Sequence, residues 1–146
     1  MVELIIVSHG NYAIEVINSV EMILGKNNNI KALTLNKEES LESLTDRLDR
    51  EIKNSDFKEF LVLVDFLGGT PFNATSKLIG KDNIKIISGV NIPMVLKILP
   101  VDNRSLKEVA YIAEKEGKEG IINISNLIEK RLNKEKVEGS LNGENI

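Results

Sequence analysis

The alternation of short apolar runs with longer amphipathic ones is the feature that most constrains this chain. Val2–Val7, Ile30–Leu35, Phe60–Val64 and Ile84–Ile87 hold four to six residues each, and three of these runs are almost wholly apolar. Strands buried on both faces look like this, and such strands belong to parallel sheets covered by helices. Strand–helix alternation in turn implies a doubly wound α/β domain with right-handed crossovers. The expected order is the common 2-1-3-4, which sets the first and third strands side by side. Ligands of such folds sit at the carboxyl ends of the strands, where the winding reverses. Here those ends carry His9 and Asp65.

The intervening segments read as helices. In residues 11–24 a stripe of Ile14, Ile17, Val20 and Leu24 is followed by Gly25 as a stop,. Asn36 with Glu39 resembles a capping box, ahead of an apolar face of Leu41, Leu44, Leu48 and Ile52,. Thr70 and Pro71 read as N-cap and first residue of a third helix running to about Gly80,. A fourth is expected over Asn91–Leu99, with Pro93 in its first turn. A fifth carries Leu106, Val109, Ala110 and Ala113 to about Gly117, after which "GIINIS" reads as one more short strand. The expected division is therefore a domain over residues 1–125 and a tail over 126–146. A turn or two of helix opens that tail, which then fades into a polar end whose basic and acidic residues cancel.

Composition removes several classes of function. At 146 residues with 42% hydrophobic side chains, the chain suits one domain with one sizeable core,. A formal charge of −3 offers no basic excess for nucleic acid,. With no cysteine and one histidine, thiolate and histidine-rich metal sites are excluded and no metal is expected,. Neither a signal peptide nor an apolar stretch of ~20 residues is present, so a cytoplasmic location without direct membrane insertion is expected,.

The single histidine closes the first apolar run in "LIIVSHGN". The second informative stretch is "LVLVDFLGGTPFNAT", where Asp65 ends a strand and Gly68, Gly69 and Thr70 lead into a helix. Glycines ahead of a helix leave N–H groups uncovered, and the helix dipole adds positive potential, so this region suits a phosphoryl group. If Asp65 accepts a hydrogen bond from Nδ1–H of His9, Nε2 is left as an unprotonated nucleophile and the carboxylate balances the charge that grows on the ring. No lysine follows the glycines as in a P-loop, and no G-x-G-x-x-G follows the first strand, so neither a nucleotide nor another cofactor is expected,. Six aromatic residues are few for stacking a flavin. "SGVNIPM", residues 88–94, is expected to shape the rim of the same edge.

"IIVSHG", "VDFLGGTPFNAT" and "SGVNIPM", in this order and spacing, closely resemble the IIA domain of the mannose-family bacterial sugar phosphotransferase system, over roughly residues 1–125. The resemblance implies a phosphocarrier. His9 would take a phosphoryl group on Nε2 from phospho-HPr and pass it to a IIB component, with membrane IIC and IID subunits downstream. Asp65 would be the partner of its other nitrogen, and Thr70 with neighbouring amides would contact the phosphoryl oxygens. The resemblance also implies a homodimer in which a C-terminal strand, here Gly120–Ser125, crosses to the neighbouring sheet and covers its edge. IIB is expected to be a separate polypeptide, because in several relatives a linker and a IIB domain follow where this sequence has only its tail. Two alternatives stand beside this reading: the phosphocarrier subunit of a dihydroxyacetone kinase, and an interaction module whose binding depends on its phosphorylation.

Overall fold

Apolar side chains pointing both ways from the central strands decide the architecture. Strands β1 (Val2–His9) and β3 (Glu59–Val64) pair in parallel, and β2 (Ile30–Leu35) and β4 (Ile84–Ser88) flank them in the order β2-β1-β3-β4. The computed structural model describes residues 1–100 and 103–144. Side chains alternate between the faces of a strand, and the register pairs Leu4 with Leu61 and Ile6 with Leu63,. These four residues pack beneath helices α1 (Tyr12–Leu24), α4 (Ile92–Ile98) and α5 (Leu106–Glu119), among Val16, Val20, Val95 and Val109. Ile5, Val7, Val62 and Val64 face the other way, under α2 (Leu41–Asn54) and α3 (Gly69–Thr75), against Leu44, Leu48, Ala74 and Leu78. Each such side chain contributes about 1.5–3 kcal/mol on burial. The sheet order is the expected one, and among the described residues no helix is long and apolar enough to cross a membrane.

Several helix details differ from the sequence reading. In α1 the buried residues are Ala13, Val16 and Val20, with Ile17 partly covered, while Ile14 and Leu24 are each 40% exposed. The Ser8 hydroxyl accepts the Ala13 N–H at 2.8 Å, which fixes the start of the helix against β1 with its smallest side chain inward. The cap of α2 is Ser40, whose hydroxyl accepts from the Ser43 N–H, and not Asn36. Glu39 instead reaches back to the Asn36 N–H and across to Arg47, and these bonds, the Asn36 N–H foremost, hold its carboxyl below the usual range. The α3 helix begins at Gly69 after an N-cap at Gly68, so Thr70 is not its cap. Pro71 lies in the first turn, where its missing N–H is harmless. A single 3-10 turn, Ser76–Leu78, ends that segment.

The C-terminal region departs furthest from expectation. Within one chain Gly120–Ser125 is not a strand: residues 121–123 are irregular and α6 spans Ile124–Glu144. A strand requires an edge to pair with, and this segment reaches none in its own sheet. Asn123 instead accepts the Asn126 N–H at 3.0 Å through its side chain and so starts a helix,. The helix persists well past the turn or two expected of the tail, through a run rich in Lys, Glu, Leu and Arg,. Residues 145–146 of that tail lie outside the described residues.

Gly120 ends α5 with an ordinary φ of −72°, so conformation does not explain the glycine. Space does: a Cβ there would lie 2.4 Å and 2.6 Å from Cβ and Cγ of Pro93, a rigid ring at the start of α4. We predict that Gly120→Ala destabilises the fold by about 1–3 kcal/mol, the usual range for overpacking. At Gly117 the nearest atom is the mobile Cε of Met94, so Gly117→Ala is expected to cost less,. Urea midpoints of the two variants check this, and equal midpoints would contradict it.

Candidate functional site

Adjacency of β1 and β3 brings their carboxyl ends together. Val7 pairs with Val64, and the Asp65 N–H continues the ladder to the Val7 carbonyl at 3.2 Å. The Asp65 side chain then turns back toward β1. Its Oδ2 accepts the His9 backbone N–H at 2.9 Å and lies 2.7 Å from His9 Nδ1. Its Oδ1 accepts the Phe66 N–H at 3.0 Å. Two main-chain donors thus hold the carboxylate in one orientation before the imidazole is considered. An ionised carboxylate can only accept, so the proton of the neutral ring resides on Nδ1 and the Nε2 lone pair faces away. The two side chains differ in exposure, 45% for His9 and 13% for Asp65.

The glycine turn stands beside that free nitrogen. Gly68 and Gly69 have φ of 115° and 79°, a region that side chains disfavour,. A Cβ on Gly69 would sit 3.2 Å from Cε1 and 3.3 Å from Nε2 of His9. Any larger residue would crowd Nε2, and the bare Cα keeps it open. Among the described residues, no carbonyl or side chain takes up the N–H groups of Gly68, Gly69 or Thr70. Of the residues singled out by sequence, His9, Asp65 and Gly69 are brought into contact. Gly68 borders the same turn, and Thr70 follows in the first turn of α3 with no hydrogen bond to either ring or carboxylate.

"SGVNIPM" forms one wall. The Gly89 and Val90 N–H groups donate to the Val64 carbonyl at 2.9 and 3.1 Å, and Asn91 caps α4 by accepting the Met94 N–H. Two residues that sequence reasoning passed over also belong here. The Tyr12 hydroxyl donates to the Val90 carbonyl at 2.7 Å and ties this wall to α1. Burial foremost, and then the charge of Asp65, push the Tyr12 hydroxyl above its ordinary pKa, so it remains a donor. The Phe66 ring stacks on His9 with centroids 5.3 Å apart and planes 17° from parallel. Its position directly after Asp65 was the available signal, since an aromatic residue between a buried strand and a glycine turn has no core to enter.

A surface cleft of about 420 Å³ runs along β4, lined by Leu67, Phe72, Ile79 and Ile86 among others, and neither His9 nor Asp65 lines it. The site is an open face.

Fold and site together define a doubly wound α/β domain that presents an oriented histidine–carboxylate pair at its switch point. The family described as "PTS system fructose IIA component" matches residues 3–114, and the chain belongs to that mannose-type IIA family of the sugar phosphotransferase system. It is 34% identical over 112 residues to the fructose-specific EIIA component of Bacillus subtilis, covering 75% of this chain and 77% of that one. It is 33% identical over 124 residues, 82% of this chain, to the mannose-specific EIIAB component of Escherichia coli, of whose length it spans 38%. Among solved structures, a phosphotransferase system EIIA component from Streptococcus agalactiae superposes with a TM-score of 0.79 at 32% identity, covering 86% of this chain and 99% of that one. The mannose/sorbose-specific IIA subunit from Enterococcus faecalis gives 0.72 at 26% identity, with 83% and 92% covered.

The geometry makes a prediction about the ring itself. In Asp65→Ala the Nδ1–H loses its acceptor, and the ring should revert to the Nε2–H tautomer that free imidazole side chains favour. Ring ¹⁵N chemical shifts should report Nδ1–H in the wild-type chain and chiefly Nε2–H in the variant. Reactivity at Nε2 should fall about a hundredfold or more, as when a catalytic imidazole loses the group that holds its tautomer. An unchanged tautomer would remove the role assigned to the carboxylate.

Proposed function

We propose that this chain is a phosphocarrier: His9 accepts a phosphoryl group from phospho-HPr and hands it to a IIB component during sugar uptake. The observation that carries the reading is a half-exposed imidazole, anchored at Nδ1 with Nε2 turned to an open face. A small-molecule enzyme surrounds its substrate in a cleft. A group passed between proteins calls for a nucleophile that a partner's own side chain can reach. Family membership supports the same reading.

In the proposed step the Nε2 lone pair attacks phosphorus. A bond to Nε2 forms as the bond between phosphorus and the donor's imidazole breaks, and the donor nitrogen keeps that electron pair. The Nδ1 proton stays in place, so the ring of His9 becomes formally positive and Asp65 balances it. The N–H groups of Gly68, Gly69 and Thr70, and the Thr70 hydroxyl, are suited to the phosphoryl oxygens. Onward transfer to IIB reverses the sequence, and the IIC and IID membrane components follow it. The work would take place in the cytoplasm, with no metal or nucleotide held by this chain.

The dimer belongs to the proposal as well. Ile121, Ile122 and Ile124 are 80%, 56% and 56% exposed in one chain, and among the described residues the outer edge of β4 has no neighbour in the sheet. Exchange of the segment around Gly120–Ser125 with a second copy would cover both, so residues that are irregular or helical in one chain would become a strand in the pair.

Incubation with phosphoenolpyruvate, enzyme I and HPr tests the reading by intact mass. The wild-type chain should gain one acid-labile phosphoryl group and His9→Gln none. Failure of the wild-type chain to gain it would overturn the proposal. Adding candidate IIB proteins, or dihydroxyacetone kinase subunits, identifies the acceptor.

A further inference from the structure

The geometry points to Phe66 as a positioning residue for His9, one that holds the face of the imidazole and favours the ring when it carries positive charge. This inference rests on the phosphocarrier reading above for its biological meaning.

Phe66 has no structural reason for its place. Its side chain is 51% exposed, and it belongs to neither apolar cluster of the core. What it does touch is His9, in the near-parallel arrangement at 5.3 Å that aromatic pairs favour when offset,. The segment from Asp65 to Gly69 therefore grips one imidazole in different directions. Asp65 holds Nδ1 at 2.7 Å, and one hydrogen bond at a single ring atom leaves the ring free to tilt about it. Phe66 opposes the tilt from one face.

The glycine turn seats both rings. A Cβ on Gly69 would lie 3.4 Å from Phe66 Cζ and 3.2 Å from His9 Cε1, and one on Gly68 would lie 3.8 Å from Phe66 Cε2. The turn therefore runs along the edges of the stacked pair, and a side chain at position 69 would press on both rings. Phe66 is also tied to the carboxylate, because its N–H donates to Asp65 Oδ1 at 3.0 Å. The group that balances charge and the group that covers the ring are adjacent residues of one turn.

Charge gives the stack its function. Once Nε2 bonds to phosphorus while Nδ1 keeps its proton, the ring is cationic, and an aromatic face attracts a cation more than a neutral ring. Phe66 thus stabilises the loaded state over the empty one, which raises the equilibrium share of phosphoryl group held on His9.

The test uses the full-length chain as wild type, Phe66→Ala, Phe66→Leu and Phe66→Tyr, each equilibrated with phospho-HPr. The Ala and Leu variants should lower the equilibrium constant for loading about two- to fivefold, the range for a cation over an exposed aromatic ring. The Tyr variant should restore it. Urea midpoints should barely move, since the ring is outside the core. Leucine separates the explanations: if Phe66→Leu loads as well as wild type, bulk alone suffices and the inference fails, as it does if Phe66→Ala is unchanged. Potassium phosphoramidate, which phosphorylates imidazoles without any carrier protein, supplies an independent readout. Phosphohistidine in the Ala and Leu variants should then hydrolyse faster by a similar factor, and equal half-lives would count against Phe66. A wild-type chain that is loaded by phosphoramidate but not by phospho-HPr would sink the phosphocarrier reading while leaving the Phe66 comparison intact.

Discussion

One carboxylate oxygen, Oδ2 of Asp65, meets both the main chain and the ring of His9, at 2.9 and 2.7 Å. Everything distinctive about the site follows from that double contact. The backbone bond places the carboxylate relative to β1, the ring bond places the imidazole relative to the carboxylate, and the free nitrogen is left to face the glycine turn. The contact depends on strand order. Neighbouring strands stand about 4.8 Å apart, so one strand inserted between β1 and β3 would roughly double the separation and put a 2.7 Å bond beyond reach of these side chains,. The order β2-β1-β3-β4 is thus a requirement of the chemistry as well as a packing solution.

Unequal exposure lets the pair act at a surface. A salt bridge between fully exposed groups is weak because water and salt screen it. Here the carboxylate is only 13% exposed and is fixed by two N–H groups, whereas the imidazole is 45% exposed. The fixed partner orients, and the exposed one is left accessible. Tyr12 serves the same division: its hydroxyl holds the wall at Val90, and burial foremost, then the charge of Asp65, raise its pKa further from the neutral range in which it already donates.

Much of this was legible in the sequence because the determinants are local or periodic. Apolar runs such as Val2–Val7 announce buried strands, and a histidine and an aspartate at the ends of adjacent strands must meet if the order is right. Helix starts were less legible wherever two residues competed for one role. Asn36 and Ser40 both can cap, and Ser40 does so because Glu38 adopts a left-handed φ of 69°, which breaks any helix that would start at Asn36. The face of α1 was misread because Ser8, outside the helix, sets its rotation by taking the Ala13 N–H. Buried Glu3, bonded to Ser55 and 3.7 Å from Lys31, is a tertiary fact with no local sign. "GIINIS" has strand composition but no strand partner among the described residues of its own chain, and sequence states propensity without stating which edge is available.

If the chain is the phosphocarrier proposed above, it must release what it takes, and that limits how the site can be built. Every added donor that holds a phosphoryl group more tightly slows its departure, by a factor of ten for each 1.4 kcal/mol. A deep pocket with many charged ligands would load His9 and then keep the load. The groups around the ring are modest by that measure: a glycine turn beside Nε2 and an aromatic face, with the carboxylate placed at the far nitrogen. Charge at Nδ1 stabilises the cationic ring of the loaded state without binding the transferred oxygens, so it favours loading while leaving those oxygens free for the next acceptor. An open face with a firmly held imidazole and lightly held oxygens is the arrangement that reversible transfer between proteins demands.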